Sequence, residues 1–204
     1  SVHVDSLLYK WNSAGRTFFQ FRTLPTARAW DVDFIRTQQG DELLLAVNRE
    51  RDHSALELFN LDGVSQIFSN AQVKIPSECE PFDFGSTTRI VCGTDEGASS
   101  QVHVLPVSTT NLQPLHSMSV TAGVVGLRVV PAGSSLLVVI ADRTPRLRLG
   151  NLTALLTVGT GAFWMTGVVP LLRESFRLEV FQFESSWFVV VPFPNATGIT
   201  DNHI

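Results

Sequence analysis

Several features that would indicate a specific chemistry are missing from this sequence. Its 204 residues include only two cysteines, Cys79 and Cys92, which are too few for a disulfide scaffold or a zinc cluster. Charged residues make up 17% of the chain and the net charge is −4, so no basic field is available for nucleic acid or an anionic membrane surface. No phosphate-binding glycine loop, dinucleotide fingerprint or nucleophile elbow occurs. The composition therefore favours binding over catalysis and indicates no cofactor.

The longest uncharged stretch, residues 149–172, does not predict a membrane span. Glycines, threonines, Asn151 and Pro170 interrupt it, whereas a spanning helix needs about 20 predominantly apolar residues. The histidines also lack the spacing of metal ligands; they are His3, His53, His103, His116 and His203. We expect ordinary surface histidines, no metal site and no membrane span in this chain.

What the sequence does contain is a repeated pattern of short strands. Four segments begin with alternating polar and apolar residues, turn through polar or glycine-bearing positions, and end in an almost continuous apolar run. These segments are residues 30–48, 81–95, 125–142 and 177–195. Further short strands separate them at a spacing of about 10 to 12 residues, without helical periodicity. The pattern predicts an all-β fold.

The spacing of these segments indicates a repeat. Three of them end on Asn48, Asp95 and Asp142, and both 95 − 48 and 142 − 95 equal 47. About four strands in such a period are typical of a β-propeller blade. We predict a single domain of about four propeller-like blades, with an irregular β-sandwich as the alternative. The predicted repeats are residues 1–48, 49–95, 96–143 and 144–195, followed by a tail at 196–204.

The side chains that recur at the end of each period allow two interpretations. Asn48, Asp95 and Asp142 could supply a ring of oxygens for a cation, or each could cap its own loop in an Asx turn. A structural device is expected to recur with a repeat, so capping is favoured. The acidic pair Asp31 and Asp33 lies on one face of a strand without a companion catalytic motif. We expect that face to be solvated.

The two cysteines lie opposite each other if residues 85–86 form a two-residue hairpin turn. Counting outward from that turn pairs Phe84 with Thr87 and Cys79 with Cys92. The cysteines then occupy a non-hydrogen-bonded pair, whose Cα atoms approach to about 4.5 Å. Because that separation is compatible with a disulfide, we predict one, and with it an oxidising compartment. Two buried free thiols are the alternative.

Other residues are candidates for surface roles. Two sequons, at Asn151 and Asn195, can accept glycans in a secreted protein. The segment around Phe163, Trp164 and Met165 is apolar and less regular than the rest, and we expect it to contact a partner. The tryptophans are expected to pack between blades, with ligand stacking as the alternative; they are Trp11, Trp30, Trp164 and Trp187.

The first period resembles a known repeat. It contains, in order, the runs LLYKWN, TFFQFRTL, TARAWDVDFI and LLLAVN. With Tyr9 and Trp11 in the first run, Trp30 in the third and Asn48 at the end, this succession resembles the EAR repeat, also called the EPTP or epitempin repeat. The match covers residues 5–48, and later periods keep the strand spacing. The resemblance implies a seven-bladed propeller and an extracellular interaction protein.

We therefore expect a non-catalytic module for protein–protein interaction, adhesion or assembly. We expect it to be secreted or extracellular, either as a separate protein or as the ectodomain of a larger one. A glycan-binding, lectin-like propeller is one alternative, and a hydrolase with acids converging in a propeller channel is another. Four periods, where the resemblance implies seven, leave sheet edges open. Because open edges promote aggregation, we expect a protein partner to cover them, either another copy or a chain that completes the propeller.

Overall fold

A computed structural model of the chain describes residues 5–26, 29–48, 56–61, 66–70, 73–107, 113–171 and 178–192. Within these ranges the regular structure is mostly antiparallel β-strand, and the strands form five sheets that follow one another along the chain. The prediction of an all-β fold is confirmed.

The five sheets contain two, four, four, four and two strands. The first sheet consists of β1 (Ser6–Asn12) and β2 (Thr17–Leu24), and the second of β3 (Ala29–Arg36), β4 (Glu42–Asn48), β5 (Leu56–Asn60) and β6 (Gln66–Asn70). The third consists of β7 (Pro76–Phe84), β8 (Thr87–Thr94), β9 (Gln101–Pro106) and β10 (His116–Ser119). The fourth consists of β11 (Val124–Ala132), β12 (Ser135–Asp142), β13 (Arg146–Asn151) and β14 (Trp164–Pro170), and the fifth of β15 (Glu179–Phe183) and β16 (Ser186–Val190).

Each hairpin expected from the sequence forms the first two strands of a sheet. The turns between β7 and β8 and between β11 and β12 each contain a glycine, Gly85 and Gly133, with φ of 61° and 62°. Glycine adopts this left-handed conformation without steric cost, so it favours the tight hairpin turns. The predicted repeat boundaries, after residues 48, 95 and 143, fall between the second and third strands of the sheets.

The three four-stranded sheets share an irregularity near the start of their first strand. The register shifts between Ala29 and Asp31, between Pro76 and Glu78, and between Val124 and Gly126. The residues opposite these shifts are Asn48, Thr94 and Asp142. Thr94, not Asp95, is therefore the structural equivalent of Asn48 and Asp142, and the structural periods are 94 − 48 = 46 and 142 − 94 = 48 residues.

Successive sheets pack against one another, and each buried cluster joins two neighbouring sheets. Strand β8 illustrates this packing, because Ile90 and Cys92 face the second sheet while Val91 faces the fourth. A strand buried on both faces requires an almost continuous apolar sequence. Burying one such aliphatic side chain contributes roughly 1.5–3 kcal/mol, so stacking is a major source of stability.

One segment departs from the expected strand pattern. The sequence shows no helical periodicity, yet residues 154–161 contain most of a short helix, α1 (Leu152–Thr157), and part of a 3-10 turn (Thr160–Ala162). The side chain of Asn151 caps the helix by accepting a hydrogen bond from the Ala154 N–H at 2.8 Å. Six residues make fewer than two helical turns, which is too short for a recognisable helical periodicity. No helix in the described ranges is long and apolar enough to cross a membrane.

Candidate functional site

A disulfide bond joins Cys79 of β7 to Cys92 of β8. The two residues face each other in the ladder, as counting from the hairpin turn predicts, and their Cα atoms are 4.1 Å apart. Both side chains are buried in the cluster between the second and third sheets. A disulfide is consistent with a protein that folds in an oxidising compartment.

Two carboxylates of β7 close the open edge of the fourth sheet. Glu78 and Glu80 accept hydrogen bonds from the backbone N–H groups of Leu127 and Val129 on β11, at 2.7 and 2.5 Å. Among the described strands β11 lies at the edge of its sheet, so no strand of that sheet accepts from these N–H groups. Because buried N–H groups without partners are costly, the carboxylates both stabilise β11 and fix its position beside β7.

Arg128 of β11 links three sheets through its guanidinium group. It forms an ion pair with Glu78 of the third sheet and another, at 3.1 Å, with Glu179 of the fifth. Burial by itself lowers the pKa of Arg128, but hydrogen bonds and ion pairs with Glu179 and Glu78 outweigh it and raise the pKa overall. The guanidinium therefore stays charged between carboxylates from both neighbouring sheets.

Asp33 of β3 occupies the ladder position that Glu80 occupies on β7. The equivalent of Val129 on β7 is Pro81, which has no N–H to donate. No hydrogen bond reaches the Asp33 carboxyl from the described part of the chain, and burial together with Asp31 raises its pKa to about 6. Burial likewise raises the pKa of Glu80 to about 7, although the Val129 hydrogen bond opposes this.

The expectation of a solvated face for Asp31 and Asp33 is therefore wrong. Both residues are partly buried, because β3 lies beside β7, the first strand of the next sheet. The burial of Asp31 and Asp33 depends on the contact between the second and third sheets. The alternation of polar and apolar residues within β3 does not reveal that contact.

The first sheet covers only part of the second sheet. Its residues Leu8 and Leu24 pack over the middle strands, β4 and β5. Strand β3 is left uncovered on that side, and Trp30, Val32 and Phe34 are each about half exposed. Exposed apolar groups in such a row indicate an interaction surface.

The fifth sheet shows a similar apolar surface. It packs on β11 and β12 through Leu178 and Val180. Its opposite face carries Phe181, Phe183 and Phe188, of which Phe181 and Phe188 stack with ring centroids 5.5 Å apart. Phe183 is 61% exposed. Each end of the sheet stack thus presents aromatic side chains.

The predicted contact segment is only partly at the surface. Phe163 is fully buried in the cluster between the third and fourth sheets, because its ring lies against Gly150, where a Cβ would clash. The prediction that Phe163 contacts a partner is therefore wrong. Trp164 and Met165 are each more than a third exposed and remain candidates.

The tryptophans are not enclosed between sheets, contrary to the expectation. Trp11 and Trp30 are about half exposed, and Trp164 and Trp187 are each 37% exposed. Trp11 contacts Phe18 edge to face, with centroids 5.0 Å apart, and Tyr9 on the same strand is also exposed. Three of the four tryptophans lie on the terminal sheets or on β3, where a neighbouring layer is incomplete.

The side chains that end the periods do not form a common site. Buried Asn48 donates from Nδ2 to Glu57 Oε2 at 2.8 Å. Asp142 makes the predicted Asx turn, since its Oδ1 accepts a hydrogen bond from the Thr144 N–H at 2.9 Å. Asp95 instead pairs with Arg143 of the next sheet's loop, at 2.6 Å. Within the described residues, no group of three or more His, Cys, Asp or Glu side chains could hold a metal ion.

The remaining predicted residues have local roles or lie outside the described ranges. His103 is buried, contrary to the surface expectation, and its Nδ1 lies 2.8 Å from Ser117 Oγ. Burial lowers the pKa of His103. His116 is partly buried, and Asn151 of the first sequon caps α1 as described above. The predictions for His3, His53, His203 and Asn195 concern residues outside the described ranges.

Comparison with known proteins does not extend these observations: no family model matches the chain, and no curated protein matches it significantly.

Proposed function

We propose that the chain is an extracellular interaction module of EAR-like, propeller-type blades, which acts by binding another protein and performs no catalysis. The observation that carries this proposal is the row of exposed aromatic side chains at each end of the sheet stack. Such surfaces on soluble proteins are typical of sites that bind another protein. Aromatic residues are also enriched where protein interfaces bind most strongly.

The blade arrangement is supported by contacts between the first strands of successive sheets. Strand β3 contacts β7, β7 contacts β11, and β11 contacts β15. In a propeller the first strand of each four-stranded blade lines the central axis beside its neighbours. The repeated register shift and the carboxylate bonds from β7 to β11 fit the same arrangement.

The extracellular setting is supported by the Cys79–Cys92 disulfide. The sequon at Asn151 is compatible with it, because that residue lies at the junction of β13 and α1 and is only partly buried. Its Oδ1 serves the helix cap, while a glycan would be attached to Nδ2. Glycosylation of Asn151 on secretion would support this setting.

The proposal is tested by binding the purified, oxidised protein to a panel of secreted and cell-surface ectodomains. We expect saturable binding to at least one ectodomain, weakened by Phe183→Asp, which places a charge on the exposed face of the fifth sheet. Ser86→Asp is the matched control, because Ser86 is exposed in the hairpin turn between β7 and β8 of the third sheet. No saturable binding, or equal binding by Phe183→Asp, would contradict the proposal.

Glycan binding is a second candidate, favoured by the exposed Trp11–Phe18 pair, because exposed aromatic rings can stack on sugars. A glycan array carried out with the same protein tests it. Binding that is lost in Trp11→Ala would support a lectin function, and uniformly negative signals would reject it.

A further inference from the structure

We propose that a second copy of this chain completes the open ends, with β16 of one copy pairing with β1 of the next. The result is a composite four-stranded sheet of order β15–β16–β1–β2. This inference rests on the proposed assembly function and names the partner and the strands that meet.

The sheet composition of the chain supports the composite sheet. Counting described strands, each central sheet has four and each terminal sheet has two. The fifth sheet corresponds to the first two strands of a central sheet, because β15 lies beside β11 and Glu179 binds Arg128. The first sheet corresponds to the last two strands, because β1 packs over β4 and β5. One terminal sheet therefore supplies what the other lacks.

Both unpaired edges need hydrogen-bonding partners. In the part of the chain that the structure describes, β1 pairs only with β2 and β16 only with β15, so each has a row of backbone N–H and C=O groups with no described strand beside it. Within the described residues no ladder joins the two terminal sheets to each other, although both belong to one chain. A second copy satisfies both edges through a head-to-tail contact, which closes into a ring or continues as a polymer according to its rotation.

The central sheets predict the register of this new pairing. Their second and third strands align in an equivalent way: Leu45 with Leu58, Val91 with Val104, and Val139 with Leu149. Val190 is the equivalent of Val139, because Val190 pairs with Glu179 as Val139 pairs with Arg128.

The equivalent residue on β1 is Leu8. Leu8 and Leu58 both directly precede a register shift with the following strand, and both face the next sheet in chain order. The composite sheet therefore places Val190 opposite Leu8. Two residues further along, it places Phe188 opposite Lys10. At both of these positions, the equivalent pairs between the second and third strands of the central sheets are non-hydrogen-bonded pairs. In such pairs the Cα atoms come closest.

This register also brings the exposed apolar surfaces together. Phe188 shares a face with Phe181 and Phe183, and Leu8 of the partner copy faces its own second sheet. The phenylalanine face would therefore lie over β3 of the second copy, where Trp30 and Phe34 are exposed. Lys10 would approach the Phe188 ring, a favourable cation–π arrangement. One contact thus removes both surfaces from water.

A disulfide-trapping experiment tests the pairing of β16 in one copy with β1 in the next, which we call the seam. Full-length Lys10→Cys and Phe188→Cys are purified separately, one of them isotopically labelled, then mixed and mildly oxidised. We expect a disulfide-linked heterodimer, identified by mass. The matched control replaces Lys10→Cys with Tyr9→Cys, since Tyr9 is equally exposed but points to the opposite face of β1. All three positions are exposed, so the substitutions leave the core intact.

Each outcome decides for or against the seam. A heterodimer from the Lys10→Cys and Phe188→Cys mixture, without linkage in the Tyr9→Cys control, supports it, and Leu8→Cys with Val190→Cys should give the same result. No heterodimer, or equal linkage in the control, overturns it. A Lys10→Cys/Phe188→Cys double variant that links only within one chain also overturns it, in favour of closure of the chain on itself. The ectodomain screen is independent of these results, so the proposed function can survive the loss of the seam.

Discussion

The fourth sheet and the fifth sheet contain similar hairpins in different surroundings. Strand β12 begins SLLVV and β16 reads SWFVV, yet β12 is buried along its second half while every residue of β16 is exposed. In the described ranges the fourth sheet has a neighbouring sheet on each side, and the fifth has one. Burial in this fold therefore comes from the neighbouring layers and not from the strand alone. This difference also predicts where substitutions will affect stability.

The largest difference in stability between substitutions in the central and terminal sheets should be found at Glu78 and Glu179, the two carboxylates that bind Arg128. Glu78→Ala leaves a buried guanidinium and the Leu127 N–H without their partner, so we expect a loss of about 3–5 kcal/mol in the free energy of unfolding. The side chain of Glu179, on the terminal sheet, is 54% exposed, so Glu179→Ala should cost about 1 kcal/mol or less. Denaturant unfolding of both variants measures this. Equal losses would show that the central and terminal sheets are equally important to the core.

Removing the disulfide should destabilise the central sheets somewhat less. Cys79 and Cys92 are 13 residues apart, and a crosslink closing a loop of similar size contributes about 3 kcal/mol. We expect the Cys79→Ala/Cys92→Ala variant to unfold at a clearly lower denaturant concentration while keeping its strand content by circular dichroism. An unchanged unfolding midpoint would contradict a stabilising role for the bond.

The buried carboxyls of the central sheets should produce a pH-dependent stability. The pKa of Asp33 is raised to about 6 and that of Glu80 to about 7, from 3.8 and 4.5. The folded state therefore binds protons that the unfolded state releases, so stability should fall as the pH rises through 6 to 7 and increase as it is lowered towards 5. Thermal unfolding across this range measures the effect.

Two substitutions assign this pH dependence to its residues. Glu80→Gln should flatten the upper part of the profile and Asp33→Asn the lower part. Glu184→Gln, in the exposed turn of the fifth sheet, is the matched control for the loss of one carboxyl charge. An unchanged profile in both Glu80→Gln and Asp33→Asn would contradict this account.

The smallest effect on stability is expected at the exposed end. Phe183→Ala removes a largely exposed ring, so the free energy of unfolding in dilute protein should change by no more than about 0.5 kcal/mol. A loss of several kcal/mol, measured by the same denaturant titration, would mean that the fifth sheet is packed more completely than its exposure indicates.

The local features of the fold could be predicted from the sequence. Strand alternation and turn residues depend on neighbours along the chain, so the hairpins and the register of Cys79 opposite Cys92 follow from counting. The helix α1 could not be predicted, because its six residues give too short a periodic signal. Phe163 could not be placed either, since its burial depends on the space above Gly150 in a different strand.

The charged contacts between sheets correspond to a recurring sequence position that was not recognised from the sequence. Glu80, Arg128 and Glu179 each lie four residues before the end of the first strand of their hairpin. A charged residue at the same place in three hairpins indicates a shared environment. Which contacts these charged residues make depends on which first strands become neighbours. Only the three-dimensional structure shows those neighbours.

Hydrogen exchange at increasing protein concentration tests most directly the claim that a stable core carries open, associating ends. We predict that amides of β1 and β16 exchange quickly in dilute protein and become protected as the concentration rises, while β8 is protected throughout. Protection of β1 and β16 that does not change with concentration would contradict the account.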